Sequence, residues 1–381
     1  MNYTMKKDGK FTTLSFTKEH TKAALEYWTQ ERMDAAIPVS VVLPDDMEGV
    51  RRADNLGATL EVKAADTDEF PFNAGGKLYF SRYDESKGDY GNYVASAEFC
   101  ADNRIILTAA HCFYKAGHYS FNIIFRRCYD NGDSTQDTAV DAVAVPTEYI
   151  DTENYAYDYA LGVTRVAAKG KVLNYAINST GGTAIAYGYP TNYESGQKMV
   201  YVDGEYTVYE KKEGVYEMLD NPMGGGCSGG AWVDKDKNTV VSVNSYSYNS
   251  HPDDQYGPIL GTEFEDLVNV AKEMIDHIRY FKLHNGAAVV VRMRIKWSLG
   301  TNSGTYEEDG YHDICAGADG SIDMLEAGIP HGATVRLYAS VPMGDDDSAD
   351  ETFIYDRNSG ITMPYKLSGT AFKTTLKLIE T

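Results

Sequence analysis

The strongest constraint on the fold is a glycine-rich stretch, Gly224–Trp232, with Ser228 near its centre. Glycine permits positive φ angles and lets a second stretch of backbone approach closely. A nucleophilic serine needs both properties, because its oxygen must stand at a bend where backbone N–H groups converge on the oxyanion formed during attack on a carbonyl. In that geometry the donors are the N–H groups of Gly226 and Ser228. Taken alone, such a stretch is equally typical of a hairpin loop.

Two motifs upstream favour the catalytic interpretation. His111 lies in the sequence Thr-Ala-Ala-His-Cys, and Asp158 stands at the start of an apolar run. A histidine can take the proton of a serine as general base, and a carboxylate can hold that histidine in the required tautomer. The chain order is His, Asp, Ser, with intervals of 47 and 70 residues. None of the seven other histidines lies in a comparable context.

Together, Thr108–Cys112, Asp158–Leu161 and Gly226–Gly230 resemble the trypsin-like serine peptidase family, over roughly residues 73–281. The Cys-Ser-Gly-Gly-x-Trp form and the short Asp-to-Ser interval are similar to its secreted microbial, glutamyl-endopeptidase-like branch. The resemblance implies a chymotrypsin-like double β-barrel with the site in the cleft between the barrels. It also implies hydrolysis of peptide bonds through a Ser-His-Asp triad and an acyl-enzyme, without a metal or an organic cofactor.

Cys227, directly before the serine, departs from the digestive enzymes of the family. Those enzymes carry an aspartate there, which pairs with a new N-terminal amine on activation, so zymogen control in this chain must use another contact. Cys227 also permits a second interpretation, in which the cysteine is the nucleophile, as in cysteine peptidases built on this fold. Ser228 is preferred because the Ser-Gly-Gly that it begins matches the serine branch.

The resemblance also predicts which residues bind substrate. They are Pro222, Met223, Val243, Asn244, Ser245 and Tyr246. Pro222 stands at the pocket floor, where an aspartate would select lysine or arginine, and Met223 is not the hydroxyl residue of glutamate-specific enzymes. The other four form the strand that pairs with an extended substrate, and they include no histidine. We therefore expect cleavage after an uncharged residue.

The charge of the chain limits its partners. There are 56 acidic against 35 basic residues, giving a formal net charge of −21. Nucleic acids and anionic membranes require a positive surface. No run reaches the roughly 18 apolar residues that indicate a membrane span. We expect a protein or peptide substrate, no nucleic-acid partner and no membrane insertion.

The five cysteines bear on the compartment. The family resemblance implies a disulfide between Cys100 and Cys112, which flank the histidine motif, and two reduced core cysteines are the alternative. At most one further intramolecular pair can form among Cys128, Cys227 and Cys315. Because disulfides persist in oxidising compartments, we expect a secreted or extracellular protein. No signal peptide is visible at the N-terminus.

Three regions are predicted along the chain. Residues 1–72 do not read as part of a barrel, and Thr17–Ala36 has helical spacing with Thr17 as the cap. This extension is either a pro-region that covers or chaperones the next domain, or an arm packed on the barrel. Residues 73–284 form the peptidase domain, and residues 285–381 form a C-terminal β-domain of unknown role.

The peptidase domain and the C-terminal domain differ in pattern. In the first, strand runs fill two barrels, and a closing helix follows the capping box Thr262–Glu265 and continues to Ile278. In the second, apolar residues alternate with basic ones over Val291–Trp297, as in a half-buried strand. Further strand runs at Thr334–Val341 and Phe372–Ile379 favour a β-sandwich-like domain, which binds a surface or ligand or is purely structural.

We therefore predict a mainly β protein with a chymotrypsin-like double β-barrel, a partly helical N-terminal extension and a C-terminal β-sandwich-like domain. The predicted function is that of a secreted serine endopeptidase under zymogen control. The alternative is a catalytically inactive, peptidase-like module for binding or adhesion. The complete set of triad residues argues against that alternative, and the C-terminal domain keeps it open.

Overall fold

The structure is a computed structural model that describes residues 3–44, 59–307, 312–342, 344–370 and 372–379. Two compact units make up the chain, Met1–Met274 and Ile275–Thr381. The helices are α1 (Lys18–Tyr27), α2 (Gln30–Asp34), α3 (Ala110–Phe113), α4 (Thr147–Thr152) and α5 (Thr262–Glu273). Within the described ranges, none of them combines the length and the apolar character needed to cross a membrane.

Strands dominate both units. Those of the first unit are, in chain order, β1 (Tyr3–Lys7), β2 (Phe11–Phe16), β3 (Ile37–Pro38), β4 (Val42–Leu43), β5 (Lys63–Ala64), β6 (Gly75–Asp84), β7 (Asp89–Phe99), β8 (Ile105–Thr108), β9 (Tyr114–Lys115), β10 (His118–Tyr119), β11 (Phe121–Arg127), β12 (Gln136–Pro146), β13 (Ala160–Thr164), β14 (Asn174–Tyr175), β15 (Gly182–Gly188), β16 (Val200–Val208), β17 (Val215–Met218), β18 (Ala231–Asp234), β19 (Thr239–Val243), β20 (Tyr246–Tyr248) and β21 (His251–Pro258). Those of the second unit are β22 (His277–Ile278), β23 (Tyr280–Asn285), β24 (Arg292–Leu299), β25 (Asn302–Glu307), β26 (Asp319–Asp323), β27 (Thr334–Ser340), β28 (Asp347–Ser348), β29 (Phe353–Tyr355), β30 (Thr362–Thr370) and β31 (Lys373–Leu378).

The first sheet closes into a barrel. Its path runs β12-β11-β6-β7-β8-β13, and β13 pairs back with β12, so that six strands form a ring. Closure leaves none of these strands with a free edge along the ring. Large apolar side chains such as Leu78, Phe99 and Phe125 are completely buried. The ring therefore supplies a rigid frame for the loops that follow β8 and precede β13.

The N-terminal hairpin extends this sheet. β2 pairs antiparallel with β12 and places Leu14 opposite Val143, and both side chains are buried. Trp28, which follows α1, is also buried, and its indole N–H donates to the backbone oxygen of Asn122 at 2.6 Å. Of the two alternatives for residues 1–72, these contacts are those of an arm packed on the barrel. Burial of side chains such as Leu14 stabilises the hairpin as part of the sheet.

The predicted helix over Thr17–Ala36 is two helices. Thr17 caps α1 as expected, since its hydroxyl accepts the N–H of His20. α1 ends at Tyr27, and Thr29 caps α2 in the same way by accepting the N–H of Arg32. A threonine that competes for nearby backbone N–H groups favours a helix start over a helix interior, so the second cap divides the segment.

The second sheet carries the serine stretch. Its main path is β14-β19-β18-β15-β16-β17-β21-β20-β4, and β5 pairs with β16 at its side. Residues 219–230, between β17 and β18, contain Ser228. Since β4 and β5 come from the N-terminal 72 residues, this segment contributes strands to both sheets. The expected mainly β architecture with a chymotrypsin-like double barrel is confirmed.

The second unit is β-sandwich-like. A six-stranded and a four-stranded sheet enclose one continuous apolar core. The unit begins at Ile275, ten residues before the predicted boundary, because α5 ends at Glu273 rather than at Ile278. Ile278, Phe281 and Leu283 are buried in this core. The last two are two residues apart in β23, which is the spacing of a strand with one buried face.

If the N-terminal hairpin belongs to the barrel sheet, shortening a buried side chain in it must destabilise the first unit. We expect Leu14→Ala to lower the free energy of unfolding by about 2–5 kcal/mol, because it removes apolar contacts and leaves a cavity. Met5→Ala, at a side chain 53% exposed, should change it by less than about 0.5 kcal/mol. Urea unfolding of the full chain measures both, and equal stabilities would contradict the placement of the hairpin.

Candidate active site

Ser228 lies in a turn that only glycine-rich sequence can form. Gly226 and Gly229 have φ values of +101° and +83°, which strain any residue with a Cβ. A Cβ on Gly229 would also lie 2.9 Å from the backbone nitrogen of Ala109. The turn is tied to β7, since the N–H of Ser96 donates to the carbonyl of Ser228 at 2.9 Å. The glycines thus bring the serine turn against the segment that precedes α3.

His111 and Asp158 are brought together by neighbouring strands of the first barrel. His111 lies in α3 just after β8, and Asp158 lies just before β13, with Ala160 opposite Thr108 in the antiparallel pair. The Nδ1 atom of His111 is 2.7 Å from Oδ2 of Asp158, and the backbone N–H of His111 donates to Oδ1 at 2.8 Å. The carboxylate therefore holds both the ring and the backbone of the histidine. Both side chains are buried.

The charges of this pair shift both pKa values. Burial alone lowers the pKa of His111, but the attraction of the Asp158 carboxylate, assisted by Cys112, outweighs it and raises the pKa to about 9. Burial alone raises the pKa of Asp158, but the charge and hydrogen bonds of His111, with a hydrogen bond from Ser245, bring it below its usual value. Each group therefore favours the charged form of the other.

Two further side chains position the pair. The hydroxyl of Ser245 donates to Oδ2 of Asp158, and a guanidinium nitrogen of buried Arg82 donates to the backbone oxygen of His111 at 2.6 Å. The sequence interpretation assigned Ser245 to substrate binding, and the structure adds this contact with the aspartate. Arg82 was missed, because an arginine in a strand-like run has no sequence signal that distinguishes a buried anchor from an exposed charge.

Two groups of the serine turn converge on one carbonyl oxygen. The N–H of Gly226 donates to the backbone oxygen of Val39 at 2.7 Å. The hydroxyl of Ser228 donates to the same oxygen at 3.4 Å. The Gly226 N–H thus lies at the distance of an oxyanion-stabilising donor from this carbonyl oxygen, with the Ser228 hydroxyl beside it. Among the described residues, the Nε2 atom of buried His111 has no hydrogen-bond partner.

The predicted pocket residues are buried. Pro222 and Met223 are both buried, and the carbonyl of Met223 accepts a hydrogen bond from the side-chain amide of Gln255 at 2.8 Å. Asn221, next to them, turns its side-chain oxygen to the N–H of Met223 at 3.2 Å. The segment before the serine is therefore held rigidly, with the methionine side chain packed in the apolar core of the second sheet.

The predicted substrate strand is only partly available. Val243 is opposite Ala231 in the sheet, and Asn244 exchanges backbone hydrogen bonds with Gly229 and Gly230. Their backbone groups are therefore already engaged within the protein. β20, which begins at buried Tyr246, pairs through its other edge with β4. β20 is therefore paired on both edges, with β21 and with β4.

The predicted disulfide between Cys100 and Cys112 is wrong, since all five cysteines are free. Cys100 lies opposite the start of β8, with its N–H donating to the carbonyl of Ile105 at 3.0 Å. Cys112 comes four residues after β8 ends at Thr108. At ~3.3 Å per strand residue, β8 separates the two by about 10 Å, beyond the ~7 Å limit for a bridge. The expectation of secretion loses this support and stays a prediction.

Cys227 is poorly suited to be the nucleophile. Burial raises the pKa of its thiol to about 12, and its Sγ atom lies 3.7 Å from the carbonyl of Met223. Because the thiolate is the attacking form of a cysteine, a raised pKa opposes reactivity. The local environment therefore favours Ser228, which follows it.

Metal ligands are not gathered anywhere in the described part of the chain, which has no group of three or more His, Cys, Asp or Glu side chains placed to hold an ion. Residues 345–351 of the second unit are rich in acidic side chains. Within them, the carboxylate of Asp347 accepts the backbone N–H groups of Ser348 and Leu376. Asp346 accepts the N–H of Val341 in the same manner. These carboxylates stabilise loop backbone.

The raised pKa of His111 has a measurable consequence. We expect the imidazole in the full chain to titrate near pH 9 by NMR, and its pKa to fall below 6.5 in Asp158→Asn, where burial acts without the carboxylate charge. By linkage, the stability that comes from the raised pKa of His111 is fully present below about pH 6.5 and is lost as the pH rises through about 9, whereas the stability from the lowered pKa of Asp158 is lost as the pH falls through that pKa. An unchanged pKa in the variant would contradict the assignment of the shift to Asp158.

One family model matches the part of the chain that contains His111, Asp158 and Ser228. Residues 95–243 match the family model described as a trypsin-like peptidase domain. A thermostable serine protease, AL20, from an extremophilic microorganism is 26% identical, with 53% of this chain and 98% of that chain covered and a TM-score of 0.47. Protease Anisep from Arthrobacter nicotinovorans is 28% identical, with 55% and 99% covered and a TM-score of 0.47.

A Glu endopeptidase in complex with MPD is 20% identical, with 57% of this chain and 99% of that chain covered and a TM-score of 0.46. A search of the curated proteins gave no match. The matched residues 95–243 include His111, Asp158 and Ser228. Residues 95–243 are therefore similar to a trypsin-like peptidase domain, and the buried His111–Asp158 pair and the serine turn both lie within the matched range.

Proposed function

We propose that this protein is a serine endopeptidase that cleaves proteins or peptides through Ser228, His111 and Asp158. The observation that carries the proposal is the convergence of the Ser228 hydroxyl and the Gly226 N–H on one carbonyl oxygen. The buried His111–Asp158 pair, in the same domain, supplies the acid and base that acyl transfer needs. The match to a trypsin-like peptidase domain supports this assignment.

In the proposed reaction, the oxygen of Ser228 attacks the carbonyl carbon of the peptide bond, and its proton moves to Nε2 of His111. The carbonyl electron pair becomes an oxyanion, which accepts hydrogen bonds from the N–H groups of Gly226 and Ser228. When the oxyanion collapses, the C–N bond breaks and the leaving amine takes the proton from His111. The acyl group remains on Ser228 as an ester.

Water then repeats the sequence in place of the serine. It gives a proton to His111 as it attacks the ester, and His111 returns that proton to the oxygen of Ser228 when the acid leaves. Asp158 stays ionised throughout, holds the Nδ1–H tautomer and stabilises the imidazolium that forms twice in each cycle. Ser245 and Arg82 act as positioning residues, through Asp158 and through the backbone of His111.

The nucleophile is tested by a fluorophosphonate probe, read by intact mass after prolonged incubation with the full chain. We expect one adduct, absent from Ser228→Ala and retained in Ser86→Ala, which changes a serine in an exposed loop of the same unit. Asp158→Asn should label about 10³–10⁴-fold more slowly, because the histidine loses the tautomer and charge support of the carboxylate. Equal labelling of Ser228→Ala and the parent would refute the assignment.

The proposed base predicts a pH profile. Only neutral His111 can accept the serine proton, and its pKa is about 9. We expect the labelling rate of the full chain to rise between pH 7 and about pH 9 and then to level off. A rate that is flat over this range would contradict His111 as the base.

The glutamyl-endopeptidase-like specificity is not part of the proposal. Pro222 and Met223 present no charge or hydroxyl at the predicted pocket, and Met223 is packed among apolar side chains. We therefore propose cleavage after uncharged residues, since an unpaired charge in such a site is costly. A peptide panel tests this, and preferential cleavage after Arg, Lys or Glu would exclude it.

A further inference from the structure

An internal segment lies across the proposed active site. We call Ile37–Leu43 the strap. Its first strand, β3, pairs with β7 of the first barrel, and its last strand, β4, pairs with β20 of the second sheet. Between these two strands, Val39 lies at the serine turn. The strap therefore connects the two sheets through the position where the proposed reaction takes place.

The carbonyl of Val39 engages the hydrogen-bonding groups of the serine turn that a reacting carbonyl would need. Its carbonyl oxygen accepts the N–H of Gly226 at 2.7 Å and the hydroxyl of Ser228 at 3.4 Å. Its own N–H donates to the carbonyl of Val94 at 2.9 Å. The hydroxyl hydrogen of the nucleophile is thus directed to the strap, and the Nε2 atom of His111 has no partner among the described residues.

The rest of the strap fits the groove as an extended strand. The N–H groups of Ser247 and Asn249 donate to the carbonyls of Val41 and Leu43, each at 3.1 Å. Side chains alternate in exposure along the strap: Val39 is 6% exposed, Ser40 is exposed, Val41 is half-buried and Val42 is 47% exposed. This alternation is that of a strand with one face against the protein. The β20 edge that remained for substrate is therefore occupied.

The direction of the strap is opposite to that of a productive substrate. A leaving amine must reach His111, so residues that follow the scissile bond must lie toward the first barrel, and those that precede it lie along the strand after Ser245. In the strap, the residues before Val39 pair with the first barrel and those after it pair with β20. Both pairings are parallel, and a chain laid in the reverse direction would pair antiparallel.

This reversal prevents cleavage of the strap. The nitrogen that would leave on attack at Val39 belongs to Ser40, which leads toward β20 rather than toward His111. An amine that cannot take a proton from the imidazolium is a poor leaving group, so any attack at Val39 would reverse. The same contacts that bind a carbonyl in the site therefore hold it there intact.

We propose that the strap is a built-in, uncleaved inhibitor that keeps the peptidase latent until residues 37–43 are displaced. This inference rests on the proposed function of Ser228. Upstream of the strap, the hairpin and Trp28 are built into the first barrel. Displacement is thus a local opening that breaks the hydrogen bonds of Gly226, Val94, Ser247 and Asn249 and leaves the remainder of the extension in place.

The test compares rates of fluorophosphonate labelling at one pH in the full chain and in strap variants. Val39→Pro removes the N–H that donates to Val94 and should raise the rate by about tenfold or more. Val39→Ala, which keeps every backbone hydrogen bond and loses two buried methyl groups, should raise it by a smaller factor and serves if the proline variant does not fold. Val42→Ala, at the exposed face, is the matched control and should leave the rate within about twofold.

Two results would overturn the strap proposal while sparing the proposed function. One is that the parent chain, Val39→Pro and Val39→Ala are all labelled at the same rate. The other is a cut between Val39 and Ser40, seen by mass mapping after incubation and absent from Ser228→Ala. If no variant labels although circular dichroism shows each to be folded, Ser228 is not an activated nucleophile, and the proposed function fails together with the inference that rests on it.

Discussion

The buried contact between Asp158 and His111 is the interaction on which the site depends. It requires β8 and β13 to be adjacent, so that the residue after one strand meets the residue before the other. The closed ring of the first sheet enforces that adjacency. Burying either charge without the other would destabilise the fold, because an unpaired charge is unfavourable in a low-dielectric interior. Together they form a charged pair whose histidine pKa is raised to about 9.

The serine turn depends on a different constraint, the close approach of two backbones. Gly229 packs against the segment before α3, and Ser96 binds the carbonyl of Ser228. These contacts join the second sheet to the first at the place where the histidine lies. The Val39 carbonyl then meets the Gly226 N–H and the Ser228 hydroxyl, so the same geometry that suits a reacting carbonyl also suits an inhibitor. Whether a segment bound at this position is cleaved or stays intact depends on the direction of its chain, and not only on how tightly it binds.

Several elements followed directly from local sequence. The strands with alternating or continuous apolar residues, the Thr17 cap and the glycines around Ser228 all have physical causes within a few residues of their positions. The expected cysteine bridge failed because it depended on the separation of two residues across a strand, which spacing in sequence does not contain. The helix predicted through Ile278 failed for a related reason: burial in the second unit's core selected a strand there.

The sequence by itself determined which reactive side chains this protein carries and which residues flank them. The serine among glycines, the histidine before a cysteine and the aspartate at an apolar run indicated a trypsin-like site, because each needs its particular neighbours. Only the tertiary structure decided that Arg82 and Ser245 hold the His111–Asp158 pair, and that Val39 lies at Ser228. These contacts join residues 29 to 189 positions apart. Their physical basis is strand pairing, which is set by the packing of the whole unit rather than by any local pattern.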